Sequence, residues 1–457
     1  MSLVRKRIVL PLAAAVLLIA LAGAGFIFWR GNRSPSWLVV WTDKAEVASC
    51  VELFNATHEE IAAYVIYKED LLASLSSEAD EVPPDVLVGS WLKSSPAVSS
   101  GGPYVEQEAL QDEKVITASA KSFVKSIKRN FRSLDRLFDK GALHEGSFYT
   151  NMLDWGRVEG KQYMIPVSFN LPAVIFSKDN ESYVEGFSTL SLDQIEECAA
   201  AFNRKNASGS YTAMGFSPFW DDDFLYVAAK LYGTDFRTRA GKLLWDEEAL
   251  SDWAQATQQW SLDLNGGAEN EQSFQFKYLY TPGYKQVGSG RCLFSYTTSD
   301  ELFSLTDAQT QGLSFRWICQ EGRLPVEDAV TTLAVCKRGK NRKSSEVFCT
   351  WLFNTQTQKS LLQRAAKMNL DTTSFGIAGG FSSIREVNES YYPAFHRELL
   401  GKLPPEDLLE LPGQLPAHWG SLKKTAILPY LKEASQGTEE SSRGLADFVA
   451  DWVKQSY

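Results

Sequence analysis

The sequence predicts an α/β protein of two lobes behind an N-terminal membrane-spanning helix. Three observations carry this expectation. The chain has 457 residues, beyond the size at which a single hydrophobic core stops growing. After residue 37, short apolar runs alternate with helical periodicities, the pattern of a parallel α/β sheet. An uncharged, mostly apolar run from Ile8 to Trp29 comes directly after Arg5, Lys6 and Arg7.

That run is 22 residues long. A bilayer span needs ~20, and a cleaved signal has an apolar region of about 7–15. The basic cluster before it is expected to stay cytoplasmic, which places the rest of the chain outside. Arg30 and Arg33 on the far side weaken that orientation without reversing it. Ala20-Leu21-Ala22 and Ala22-Gly23-Ala24 offer small-residue cleavage spacing, but cleavage would leave Phe26 to Trp29 as an apolar terminus. Residues 1–30 are therefore expected as an uncleaved signal anchor, with 31–36 (GNRSPS) as a polar linker.

Trp37 to Trp41 reads as a buried strand ended by Thr42-Asp43. Ala45 to His58 has helical spacing through Val47, Val51 and Phe54. Ala62 to Tyr67 is a second strand. Pro83-Pro84 breaks the chain before a third, Asp85 to Val88, which runs into Gly89-Ser90-Trp91. Ile165 to Phe176 holds two extended segments around Asn170-Leu171-Pro172. Helices are expected from Ser191 to Asn203 and from Asp222 onward. Gly290–Tyr296, Leu313–Ile318 and Val330–Cys336 read as strands, and Ser344 to Ala366 as one long helix. The tail from Leu422 is helical, with breaks at Pro429 and Gly437.

The formal net charge of −10 argues against a nucleic-acid partner, since phosphates would repel it. Six scattered cysteines form no CxxC pair and have no neighbouring His, which excludes a zinc-ligand pattern. An even count permits disulfides, but unpaired buried thiols are the expectation. No nucleophile elbow, HExxH, P-loop or dinucleotide fingerprint occurs, so no catalytic residue, metal or cofactor is assigned. Two other classes stay open, a membrane-anchored carbohydrate hydrolase with a carboxylate pair and a structural envelope protein.

The order of segments resembles the family-1 extracellular solute-binding proteins, the maltose- and multiple-sugar-type receptors of bacterial ABC importers. The residues that carry it are Val39-Val-Trp-Thr-Asp43, Glu52-Leu-Phe-Asn55, Pro84-Asp85-Val-Leu-Val88, and Gly160-Lys-Gln-Tyr-Met-Ile-Pro166 with Phe176-Ser-Lys-Asp179. Gly288-Ser-Gly-Arg-Cys-Leu-Phe294 and Lys340-Asn-Arg-Lys with Phe348 and Gln358 continue it. Three departures stand out. Ala24 occupies the lipid-bearing Cys position, Ser177 replaces the usual Asn, and extra residues fall between about 93 and 130. The resemblance implies a type II-like periplasmic-binding-protein fold with hinge crossovers. Its first lobe is expected from 37–168 plus 299–344, and its second from 169–298 plus 345–457. It further implies a monomeric receptor on the extracytoplasmic face that closes on a small molecule, a sugar above all, and meets ABC permease subunits. Peptide, polyamine and anion ligands remain alternatives.

In open α/β sheets ligands bind beyond the C-terminal strand ends. Sugars need flat aromatic faces and convergent hydrogen-bonding groups. By position Trp41, Asp43, Ser90, Trp91 and Tyr296 qualify. The resemblance adds Asn170 in the crossover, Trp220, Arg385 and Trp419. Trp41 and Trp419 also read as packing residues, Asn170 as a turn residue and Arg385 as a brace. Asp221 to Asp223 read as a helix cap with first-turn acids rather than a metal cluster. Lys121, Lys125, Lys128, Arg129, Arg132 and Arg136 form a basic stripe. It lies beside an apolar face of Phe123, Val124, Ile127, Phe131, Leu134 and Phe138. This is either a solvated face or a surface for anionic lipid or acidic permease loops.

Overall fold

The computed structural model describes residues 36–77, 82–94, 113–239, 242–370, 374–437 and 443–456. The expected anchor and all but the last residue of the linker lie outside these. Among the described residues no helix is long and apolar enough to cross a membrane.

The chain begins with a strand β1 (Ser36–Thr42), a helix α1 (Glu46–Thr57) and strands β2 (Ile61–Tyr67) and β3 (Val86–Gly89). These strands are parallel, with Ser36 opposite Ile61 and Val40 opposite Val86. Both faces of β1 are buried, which explains its unbroken apolar run. Leu38 and Val40 join one core layer, and Val39 and Trp41 the other. Next come the basic helix α2 (Glu113–Asn130) and strands β4 (Met164–Phe169), β5 (Pro172–Ser177) and β6 (Thr189–Leu190). They are followed by α3 (Asp222–Leu231), β7 (Ser295–Thr298), β8 (Leu313–Ile318) and β9 (Thr331–Val335). Then come α4 (Arg342–Leu352), α5 (Thr355–Lys367) and β10 (Phe381–Ser382).

Two sheets result. The first has the order β10-β4-β9-β3-β1-β2 and the second β7-β5-β8-β6. β9 runs antiparallel between β3 and β4, with Leu333 opposite both Val88 and Ile165. Each sheet heads one lobe, and the chain passes between them three times. Asn170-Leu171 leads from β4 to β5, and residues 319–330 return from β8 to β9. After β10 the chain crosses again to helices Trp419–Leu422 and Leu428–Gln436, the latter packed on α3.

The pairing departs from the expected lobe boundaries. β8, expected in the first lobe, pairs with β5 through Phe315 and Ile175. β10, expected in the second, pairs with β4 through Phe381 and Phe169, and α5 packs on α1. An apolar strand suits either sheet, and only its long-range partner decides between them. The strand expected over 290–296 starts at Ser295 instead, because Gly290 turns at φ +67° after the helix Gly283–Gly288. The long helix expected over 344–366 is two. Asn354 caps the second, its side chain accepting from the Gln356 and Thr357 N–H groups. The basic helix ends at Asn130; Phe131 bridges to Cys336, and Leu134 precedes a short helix, Asp135–Asp139. All six cysteines are buried and unpaired.

Candidate functional site

The first two crossings meet at Asn170. Its amide nitrogen donates to the Gly379 carbonyl at 2.7 Å, and its amide oxygen accepts from Ser299 Oγ at 2.7 Å. Its backbone carbonyl accepts from the Glu327 N–H at 2.9 Å. One residue thus ties the first crossing to the second and to the segments after β7 and before β10. A Cβ at Gly380 would sit 2.6 Å from the Phe169 carbonyl, so this close approach requires glycine.

Beside the crossings the second lobe holds a cavity of about 250 Å³. Phe216, Trp220, Asp221, Phe294, Ser295 and Tyr296 form most of its wall. Trp220 ends a 3-10 turn opened by Ser217, whose hydroxyl accepts from the Phe219 N–H. Its ring stacks on Phe274 at 5.6 Å and 17°. Asp221 then caps α3, accepting from the Asp223 and Phe224 N–H groups at 2.9 and 3.1 Å. Burial pushes the pKa of its carboxyl up to about 6, against those two hydrogen bonds. Tyr296 is 8% exposed, packs edge-on against Phe224, and its hydroxyl has no hydrogen-bond partner among the described residues. Burial raises its pKa well above the usual phenol value, and the carboxylates of Glu327, Asp221, Asp223 and Glu301 add to the effect.

Glu327 and Asp328 lie on the second crossing. Burial pushes Glu327 up to about 7, with Lys423 pulling the other way. Asp328 accepts from Tyr226 Oη at 2.6 Å, Trp419 Nε1 at 2.9 Å and Lys230 Nζ at 3.0 Å. Burial opposes its charge, but Lys230, Lys423 and the hydrogen bonds outweigh it and hold its pKa below the usual value.

Contacts also reach across the lobes. His418 Nδ1 lies 3.1 Å from Asp70 Oδ2. Trp91, at φ +65°, packs toward the C-terminal segment, where a Cβ on Gly420 would lie 3.7 Å from Trp91 Cζ2. Asp43 accepts from the Ser90 N–H with both oxygens at 3.1 Å, which joins the loops after β1 and β3. Burial raises its pKa.

The sequence-derived residues therefore divide. Trp220 and Tyr296 share one cavity, and Asp43, Ser90 and Trp91 cluster at the mouth of the first lobe. Trp41 lies in the other core layer, with Lys68 4.9 Å above its ring. Trp419 is buried beneath Tyr226 and Phe236. Arg385 pairs with Glu406 at 2.7 Å. Asn170 has both groups of its amide engaged, by Gly379 and Ser299. Sequence reasoning missed Glu327, Asp328, Glu301 and Lys423. The adjacent acids between two apolar strands were the available signal. Among the described residues no group of three or more His, Cys, Asp or Glu is placed to hold a metal ion.

The sequence matches no protein-family model and no curated protein. The fold, however, matches solved structures along nearly its whole length. One is the GacH receptor of Streptomyces glaucescens, solved unliganded and with acarbose (TM-score 0.57, 13% identity, 92% of this chain and 98% of that one). A second is a family-1 extracellular solute-binding protein from Alicyclobacillus acidocaldarius (0.57, 15%, 92% and 99%). A third is the maltose-binding MalE of Listeria monocytogenes with maltose (0.57, 12%, 92% and 99%). The chain therefore has the two-lobed fold of these binding proteins.

Proposed function

We propose that this chain is an extracytoplasmic solute-binding receptor of an ABC importer, capturing a sugar or oligosaccharide between its lobes. One observation carries the reading. Trp220, Asp221 and Tyr296 line one cavity beside the crossings. Aromatic faces and a carboxylate acceptor are what a sugar ring requires. Hinge bending about Asn170 closes Trp91, Asp43 and Ser90 over that cavity, and bound ligand favours the closed state. The apolar run from Ile8 to Trp29 spans the membrane and tethers the receptor beside its permease.

A thermal-shift screen with mono- and oligosaccharides, polyamines, peptides and anions tests this. Stabilisation by a saccharide supports it, and no response to any saccharide sinks the sugar reading. A second reading, a cationic ligand such as a polyamine, is favoured by Asp221, Glu301 and Glu327 gathered around Tyr296. The same screen separates the two.

A further inference from the structure

The cavity leaves one feature of the molecule unused. The segments 121–136 and 337–346 carry eleven Lys and Arg against two acids, in a chain whose net charge is −10. They form one continuous surface. Arg132 donates to the carbonyls of Cys336 and Lys337, and the Lys337 ammonium donates to the Lys128 carbonyl. Arg136 and Arg342 both reach Glu346. Lys121, Lys125, Lys128 and Arg129 line a groove of about 390 Å³ with Val124 at its side.

Helix stability does not explain the cations of the second segment. Arg342 and Lys343 stand in the first turn of α4, where the helix dipole disfavours positive charge. Among the described residues of this surface, Lys128 pairs with Glu159, and Arg136 and Arg342 share Glu346. The other cations of the two segments are not neutralised by these two acids.

Its position is the second observation. Ser36, the first described residue, touches Ser344 Oγ with its own Oγ at 3.0 Å. The chain therefore enters the first lobe beside Arg342 and Lys343. Six residues separate Trp29 from Ser36, which reach at most about 20 Å fully extended. Trp37, 57% exposed, comes directly after Ser36, an aromatic suited to the headgroup region.

We infer that this basic pole of the first lobe is a docking surface for anionic phospholipid headgroups. The inference rests on the reading of Ile8 to Trp29 as a membrane anchor. The short tether confines the pole to the bilayer surface, where each Lys or Arg strengthens attachment to anionic lipid roughly five-fold. The Ser344 side of the pole lies at the N-terminal end of β1, whereas Asp43 lies beyond its C-terminal end. Docking holds the cleft off the membrane by about the length of that strand, roughly 20 Å.

The test uses the full chain carrying Ser122→Cys in nanodiscs. All six native thiols are buried, so a fluorophore on Cys reports the pole alone. Headgroup-quencher lipid should quench it in discs containing phosphatidylglycerol and not in phosphatidylcholine discs. High salt should abolish the quenching. Lys121→Glu with Lys125→Glu and Arg129→Glu should weaken it by about a hundred-fold or more in lipid titration, the five-fold factor taken three times. The three corresponding Gln substitutions guard against misfolding and should act the same way more weakly. Equal quenching in both lipids, or none, overturns the inference and leaves the face to an acidic protein partner. If salt washing frees the chain from the discs, the anchor reading fails separately. Salt-sensitive sedimentation with phosphatidylglycerol vesicles would then keep the docking surface, and no sedimentation would remove it.

Discussion

Asp328 Oδ2 accepts a hydrogen bond from the Trp419 indole at 2.9 Å, joining the second crossing to the segment beyond the third. The same carboxylate holds Lys230 and Tyr226. Asp328→Ala strands a partly buried ammonium and two buried donors, and should cost about 3 kcal/mol of stability. Urea melts check this; a loss below about 1 kcal/mol would mean that water replaces the carboxylate. Its depressed pKa stabilises the fold above the unfolded value near about 3.9. That contribution is lost as pH falls through the folded value.

Glu327 acts with the opposite sign. Its pKa rises to about 7 in the fold, against about 4.3 unfolded. The folded state therefore holds the extra proton between those values, and stability should decline as pH rises through this window. Asp221, at about 6, adds to the decline. Glu327→Gln should flatten it. Denaturant midpoints of both proteins from pH 4 to 8 measure the difference, and parallel profiles would show that Glu327 is ionised throughout.

Trp220→Ala should weaken ligand binding by about 2 kcal/mol, the range of an interface anchor. Tyr296→Phe removes a hydroxyl that no protein group satisfies, so stability should hold while affinity falls several-fold. Calorimetry with the saccharide found by screening separates these effects. Unchanged affinity in both variants would place the ligand elsewhere.

Trp91 already packs beside Gly420 across the lobes, and closure should tighten that contact. Saturating ligand should reduce the radius of gyration of the full chain in solution scattering. Gly420→Phe should oppose that reduction by filling the space facing Trp91 Cζ2. A ligand that binds tightly without compaction would exclude hinge closure.

The native thiols should resist aromatic disulfide reagents until the chain unfolds. Burial pushes Cys50 and Cys292 up to about 12, so neither supplies thiolate at neutral pH. Fast labelling of a native thiol would contradict the packing.

Local patterns in the sequence located most elements of the fold. Leu313–Ile318 and the helix after Ser191 fall where the sequence pattern puts them, because that signal is local. Lobe membership was not legible, since β8 and β9 are equally apolar and differ only in partner. Around the cavity, Trp220 and Tyr296 are legible as residues beside strand and helix ends. The layer that Trp41 enters is not, because a strand buried on both faces does not say which side a ring takes. Glu327 and Asp328 escaped notice because their significance lies in Tyr226, Lys230 and Lys423, far away in the chain.

The order of the first sheet governs how this protein emerges from the ribosome. β9 wedges between β3 and β4 but is translated only after every strand of the second sheet. Until Val335 has been made, β3 and β4 each present an open edge that any strand can join. The second lobe has all four of its strands by Ile318 and can assemble first. Nascent chains stalled before residue 331 should therefore already protect β5 and β8 from proteases while β1 to β4 remain digestible and dependent on chaperones.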